Sequence, residues 1–367
     1  MNPSETTDDV TAPQFVRSLY RGLLNREPDP QGLQLYTTLL SDRKISKHDL
    51  AIQFVNSQEF TRNVGHRLPE CNVFSGFDPA DLRLFGLFDT RHVAPSPGFL
   101  TEWIGSRVRL TSLWTSVNWT GRDTHVEGLP VPRDYHAGAV EWIGMLRAVL
   151  AAKDSLSVME LGAGYGPWLA ASAAAARARG ITDLHVCGVE GDPGRFALMQ
   201  QNMEDNNLAG PNTHLFSAGV GSTDGRAQWP RISNPADISG ARPLREGNVE
   251  DARISGQIGF SEFLDIEIIG LPRLLALRPL WDMVHIDIQG TEYELCRACI
   301  NDLSARVRYL VIGTHTRLIE GQLMELLYGG GWILENEQPL PFVPGPRRSQ
   351  GEKTRSDGTQ VWRNPRL

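Results

Sequence analysis

The sequence predicts an α/β protein: a doubly wound, mostly parallel sheet preceded by an all-α N-terminal domain. Three observations carry this. Apolar segments rich in Val, Ile and Leu recur at 155–161, 184–190, 213–219, 282–288 and 307–314, with helical stretches between them, as in βαβ units. Two closing segments fit a terminal antiparallel pair: Trp332-Ile333-Leu334 after a triple-glycine turn, and Gln360-Val361-Trp362. In front of all this, Phe15, Leu19, Leu23 and Leu24 keep helical spacing.

Residues 13–64 read as helices in succession. Glu27-Pro28-Asp29-Pro30-Gln31-Gly32 is a turn by its Pro and Gly content. Leu33, Tyr36, Leu39 and Leu40 then resume the helical period. Ser46 stands three before Asp49, a capping-box-like start for a helix through Val55. Ser57 and Glu59-Phe60 open a further short segment. The expected division is 1–67 as a helical interaction domain, 68–140 as an irregular cap over the substrate, and 141–367 as the catalytic domain. Prolines 79, 95, 97, 130 and 132 break up the cap. Its Trp103, Trp114 and Trp119 suit either anchoring or sugar stacking. Arg107, Arg109 and Arg122 suit a carboxylate or phosphate.

Composition excludes several classes. The chain has 367 residues and a formal net charge of −7, which argues against a nucleic-acid binder. No apolar run approaches the length of a transmembrane helix. The polar, acidic start from Met1 to Ala12 is unlike a signal peptide, so a cytoplasmic protein is expected. Four cysteines in a chain this long do not make a disulfide framework. Cys296 and Cys299 fall on a helix expected over 291–303 and read as packing residues.

The chemistry concentrates at strand ends. Val158-Met159-Glu160-Leu161-Gly162-Ala163-Gly164-Tyr165-Gly166 is a strand followed by a glycine turn, with an Ala-rich helix, 168–179, behind it. The spacing is G-x-G-x-G rather than the dinucleotide G-x-G-x-x-G. Glu160 at its mouth would repel a pyrophosphate and attract an ammonium. The next strand ends in Glu190, where an α/β nucleotide fold places the acid that grips ribose hydroxyls. This combination resembles motif I of class I methyltransferases, which bind S-adenosylmethionine.

Further along, Asp282-Met283-Val284-His285-Ile286-Asp287-Ile288-Gln289-Gly290-Thr291-Glu292 resembles the FkbM-type methyltransferase motif. Ser217-Ala218-Gly219-Val220-Gly221-Ser222-Thr223-Asp224-Gly225 and Ile312-Gly313-Thr314-His315-Thr316 are similar to the same family. His285 stands for its usual lysine and Gln289 for its usual glutamate. The resemblance covers about residues 140–338 and implies a seven-stranded Rossmann-like sheet and an S-adenosylmethionine-dependent O-methyltransferase. Residues 19–60 resemble a small helical domain of unknown function that is similar to the phycobilisome linker repeat. That domain occurs beside bacterial glycosyltransferases.

On that footing Glu160 and Gly162, Ala163, Gly164, Tyr165 and Gly166 would hold the methionine part of the cofactor. Glu190 would take the ribose, with Gly191 and Asp192 beside it, Asp192 serving equally well as a helix cap. Ser217 and Ala218 would pass near the adenine, and Asp287 would touch both cofactor and chemistry. His315 is the expected base, because it ends the fifth strand beside Asp287. Trp114, Trp119, His285, Gln289 and Thr314 are the expected substrate contacts. Asp287 with Glu292 or His315 is also a possible donor set for a divalent metal, although the spacing does not demand one and the expected site is metal-free.

Three functions follow. The first is O-methylation of a sugar hydroxyl in a bacterial glycan, lipopolysaccharide or secondary metabolite. The second is N- or carboxyl-methylation of a small molecule. The third is a cofactor-binding scaffold without catalysis. The expected partners are such an acceptor and, through residues 13–64, a second copy or a glycosyltransferase. Two regions read as pocket walls or loops: 221–260, which is poor in strand signals, and Pro339 to Gly358, where Pro341-Phe342-Val343 and Arg347-Arg348 could meet a partner.

Overall fold

The computed structural model describes residues 11–55, 57, 59–60, 76–236, 241–244, 262–341 and 357–367. Half of 221–260 and the Phe342–Arg348 stretch therefore lie outside the described residues, as do residues 61–75.

Three helices open the chain: α1 (Ala12–Leu24), α2 (Pro30–Ser41) and α3 (Lys47–Val55). Their starts follow local chemistry. Asp29 Oδ1 accepts the Gly32 N–H at 2.8 Å, with Pro30 opening the helix. Ser46 Oγ accepts the Asp49 N–H at 3.0 Å and donates to its carboxylate at 2.7 Å. A 3₁₀ turn (Pro79–Leu87) and a hairpin, β1 (Phe99–Thr101) and β2 (Arg107–Arg109), then build the cap.

The main sheet alternates with helices: α4 (Ala139–Ala151), β3 (Ser155–Leu161), α5 (Pro167–Ala178), β4 (Asp183–Glu190), α6 (Pro193–Asp205) and β5 (Thr213–Ser217). After an excursion the chain resumes with α7 (Leu271–Leu275), β9 (Trp281–Ile286), α8 (Glu292–Arg306), β10 (Val307–Thr314), α9 (Arg317–Gly329), β11 (Ile333–Gln338) and β12 (Gly358–Arg363). The seven strands lie in the order β11-β12-β10-β9-β3-β4-β5. All neighbours are parallel except β12, which runs antiparallel between β10 and β11. β3 and β9 meet at the centre, and all of their residues but Ser155 are buried. Helices cover both faces, which is why these strands read as continuous apolar runs.

The excursion corrects the sequence reading. The strand expected over 213–219 stops at Ser217. The chain then forms β6 (Gly219–Gly221), β7 (Gly225–Pro230) and β8 (Phe263–Gly270), a second sheet in the order β6-β8-β7. Prolines and glycines around these short strands hid them.

The cap and the N-terminal helices share one apolar core with the α4–α5 face. Val16, Leu19, Leu50 and Phe54 belong to the same buried cluster as Leu82, Phe85, Phe88, Trp103 and Trp142. Trp103 is the link, edge-on to Phe85 at 5.2 Å and tilted on Trp142 at 5.9 Å. The cap arginines are structural rather than ligand-facing. Arg107 donates to the Asp205 carbonyl, Arg109 forks onto the Asp205 carboxylate at 2.7 and 2.8 Å, and Arg122 pairs with Glu127.

Beneath the cap lies a buried polar knot. Asp134 accepts the His136 and Ala137 N–H groups and the Trp142 indole, each at 2.8 Å. Glu102 accepts the Ser106 and Tyr135 hydroxyls. His136 Nε2 stands 3.0 Å from Glu102 and 3.6 Å from Asp134. Burial alone would depress this imidazole, but Asp134 and Glu102 more than offset it and raise it to about 9. A histidine raised in the folded state stabilises fully below its unfolded value near 6.5, and that stabilisation disappears as pH rises through about 9. The gap corresponds to about 3 kcal/mol. Thermal melts should therefore fall in midpoint between about pH 6.5 and 9, and His136→Gln should flatten that slope. A wild-type midpoint that stays level across this range removes the ion pair from the account of the cap.

Candidate active site

The glycine turn after β3 fits against the end of β9 with no room to spare. Gly162 has φ +75°, and a Cβ placed on it would lie 1.9 Å from the Asp287 carbonyl oxygen. Only glycine satisfies both conditions. The N–H groups of Gly162 and Ala163 donate to the Val189 carbonyl at 3.0 and 2.9 Å, and Asp287 N–H donates to Leu161 at 2.9 Å. The ends of β3, β4 and β9 are thus tied together around one cleft.

Gly162, Gly164, Glu190, Gly191, Asp192, Ala218, Asp287 and Gln289 all line that cleft. Glu190 is its fixed acid. One carboxylate oxygen accepts Gly164 N–H and the other Asp192 N–H, both at 2.7 Å. Each oxygen keeps a further lone pair for a hydroxyl donor. Burial raises this carboxyl to about 7, against the pull of those two N–H groups. Asp192 combines the two expected roles: it caps α6 through Arg195 N–H at 2.8 Å and also lines the cleft.

Other expected cofactor residues stand elsewhere. Glu160 is buried and absent from the lining, and its Oε2 accepts Leu169 N–H at 3.1 Å in the first turn of α5. The ammonium role gives way to stabilising a helix start, where a carboxylate meets free N–H groups. Burial raises Glu160 to about 7. Tyr165 turns to the cap, its hydroxyl 3.3 Å from that of Tyr135. Ala163 and Gly166 support the turn from behind, the Ala163 carbonyl accepting Gly166 N–H at 2.7 Å. Ser217 is exposed outside the lining.

The stretch 221–260, read as a pocket wall without named residues, supplies Trp229, Ile232, Ala241 and Pro243 to the lining, and Arg195, which the sequence reading missed, joins them. Trp229 packs flat against Gly191, where a Cβ would meet its ring at 2.5 Å. A lone tryptophan in a Pro- and Gly-rich stretch gives no periodic signal.

Asp287 and His315 meet where β9 and β10 end. His315 Nε2 is 3.3 Å from Asp287 Oδ1 and 3.8 Å from Asp357 Oδ1. Its Nδ1 is 3.0 Å from Glu292 Oε1. Glu292 is fully buried, and the same oxygen accepts the Ile288 and Gly290 N–H groups at 3.2 and 2.9 Å. Gln289, at a left-handed φ of +59°, donates its amide to Asp287 at 2.8 Å. Burial would lower the His315 ring, but Glu292, Asp287 and Asp357 together raise it to about 10. Asp287 is itself raised, by burial first.

The remaining expected substrate contacts do not reach the cleft. His285 is buried against Trp168 at 5.5 Å, with Nε2 3.5 Å from Glu141. Thr314 is buried and donates to Glu320 at 2.9 Å. Trp119 sits edge-on to Tyr135 in the cap and donates to the Trp114 carbonyl at 2.8 Å. Neither tryptophan lines the cleft. Cys296 and Cys299 are free and buried.

A seven-stranded sheet in this order, with a glycine turn after its first strand and an acid ending the second, defines a class I methyltransferase fold. The chain is 30% identical over 283 residues to a protein of Jannaschia sp. (strain CCS1) named "Putative methyltransferase", covering 76% of this chain and 97% of that one. It belongs to that methyltransferase family and is an S-adenosylmethionine-dependent enzyme. Residues 3–64 match a family described as a domain of unknown function (DUF4214). Among solved structures, it is similar to precorrin-6y C5,15-methyltransferase from Geobacter metallireducens GS-15 (12% identity, 62% of this chain and 88% of that one, TM-score 0.34). It is also similar to magnesium protoporphyrin IX methyltransferase from Synechocystis PCC 6803 with bound SAM (12% identity, 61% and 78%, TM-score 0.33). Likenesses of that size carry no functional weight. Among the described residues no helix is long and apolar enough to cross a membrane.

On the expectation that Glu190 takes the cofactor's ribose, Glu190→Ala should weaken S-adenosylhomocysteine binding by about 1.5–3 kcal/mol, roughly ten- to a hundredfold. Wild-type affinity should also fall as pH drops below about 7 and the carboxylate takes a proton. Calorimetry that finds full affinity in the folded variant removes Glu190 from the site.

Proposed function

We propose that the protein is an FkbM-type O-methyltransferase acting on a hydroxyl of a sugar, in a bacterial glycan or a secondary metabolite. One observation carries the reading. Asp287 and His315, 3.3 Å apart, end adjacent parallel strands beside the cofactor cleft. Ligands of open α/β sheets bind beyond such ends.

When bound, S-adenosylmethionine supplies an electrophilic methyl group. The chain's task is to aim an acceptor oxygen and deal with its proton. Glu190 and the 162–164 turn hold the nucleoside side. Asp287 lines the cleft and faces the acceptor side with His315. With three carboxylates around it, the ring works with Asp287 as one unit rather than as a lone neutral base. The cap, 68–140, is proposed as the cover of the acceptor side.

Support for a glycan acceptor comes from the N-terminal 1–67 region and its resemblance to domains found beside glycosyltransferases. We read that region as an interaction module. α2 buries none of its residues and leaves Leu35 exposed, so its outer face suits a second copy or a glycosyltransferase. An amine acceptor is the second reading, because Asp287, Glu292 and Asp357 gather negative charge around His315.

His315→Ala and His315→Gln should each lower turnover about 10²–10⁴-fold. S-adenosylhomocysteine affinity should stay within roughly threefold, about 0.7 kcal/mol. Steady-state rates with a panel of sugar and amine acceptors check this. Near-full activity of His315→Gln on an amine, with none on any sugar, transfers the assignment to N-methylation.

A further inference from the structure

We propose that His315 Nε2, Asp287 and Asp357 hold a divalent cation at the acceptor side of the cleft, with Glu292 fixing the imidazole from behind. Donor atoms around a hard cation bonded at about 2.1–2.4 Å stand roughly 3–3.4 Å apart. The Nε2–Asp287 separation, 3.3 Å, has that spacing already. Asp357 Oδ1 lies 3.8 Å from Nε2, on a side chain 57% exposed.

Two further observations point to a ligand rather than a mere cluster of acids. First, Glu292 is fully buried and sits on Nδ1, with Oε1 at 3.0 Å. Its position leaves Nε2 as the outward atom, facing the two aspartates. A carboxylate behind a histidine whose other nitrogen faces carboxylates is the arrangement that orients metal-binding imidazoles. Second, the cluster is not satisfied from within. Nε2 of His315, the atom that faces the aspartates, has no hydrogen-bond partner, and Glu292 Oε2 is likewise buried without one. An unmet buried acceptor costs about 1–3 kcal/mol. A cation in front of the ring would polarise it against Glu292 and draw on this surplus of negative charge. Asp287 is steadied for the role by the Gln289 amide at 2.8 Å.

The second cluster of this kind, Glu102, Asp134 and His136, makes the contrast. There both carboxylates are met by N–H and O–H donors, so its charges are accounted for.

A cation at His315 would stand next to Asp287 and the cofactor cleft, where it would seat an acceptor hydroxyl or carboxylate oxygen. This deepens the O-methyltransferase reading, but its test needs no substrate. Full-length protein stripped with EDTA is titrated with Mn²⁺, following the free-ion electron paramagnetic signal. One ion per chain should bind at sub-millimolar concentration. Asp357→Asn alters an exposed side chain and leaves folding intact; it should weaken binding at least tenfold. Glu292→Gln should weaken it roughly ten- to a hundredfold. The His136→Gln chain should bind like wild type. Absence of saturable Mn²⁺ binding, or equal affinity in the Asp357→Asn and wild-type chains, overturns the proposal and leaves a protonated ring as the only occupant of that field. Loss of methyl transfer with Mn²⁺ binding intact would instead count against the acceptor assignment alone.

Discussion

Everything at the site depends on how closely the turn after β3 approaches the end of β9. The Asp287 carbonyl stands where a side chain at position 162 would begin. That contact sets the distance between the glycine loop after β3 and the aspartate that follows β9. Three backbone hydrogen bonds lock it: Gly162 and Ala163 to Val189, and Asp287 to Leu161. A side chain there would have to move backbone, because packed interiors do not yield smoothly. Rigid placement of this kind is what aligning an acceptor with a methyl group requires.

The same packing produces the electrostatics. Glu160, one residue before the end of β3, and Glu190, the last residue of β4, are both buried, and burial raises both to about 7. Their surroundings then separate their roles. Glu160 faces the first turn of α5 and is spent on Leu169 N–H. Glu190 faces the cleft and keeps lone pairs free after binding Gly164 and Asp192. At the other side of the cleft, three carboxylates gather round one imidazole. That surplus of negative charge is costly unless a positive charge answers it.

The N-terminal helices and the cap are tied into this framework through apolar packing. Trp103 and Trp142 join them to the face of the sheet opposite α8 and α9. The buried Asp134–His136–Glu102 knot then fixes the cap's entry into α4, so the covering segment is anchored at its base.

The strand–helix alternation was legible in the sequence because parallel strands buried on both faces are long apolar runs; β3 and β10 begin and end where the pattern says. The glycine spacing and the acid ending β4 were legible because each meets a local backbone demand, and Ser46 with Asp49 showed its helix start the same way. What stayed hidden depends on contacts distant in the chain. The second sheet places Trp229 against Gly191, and no local period announces it. Whether Glu160 or Glu190 faced the cleft could not be read from two neighbouring strands that each carry a glutamate at or next to the end. Only the packing of α5 decided it. Likewise the sequence grouped Asp287 with His315 or Glu292, but Asp357 reached the same ring only through the tertiary fold, because β9, α8, β10 and β12 converge at one corner once the sheet is assembled.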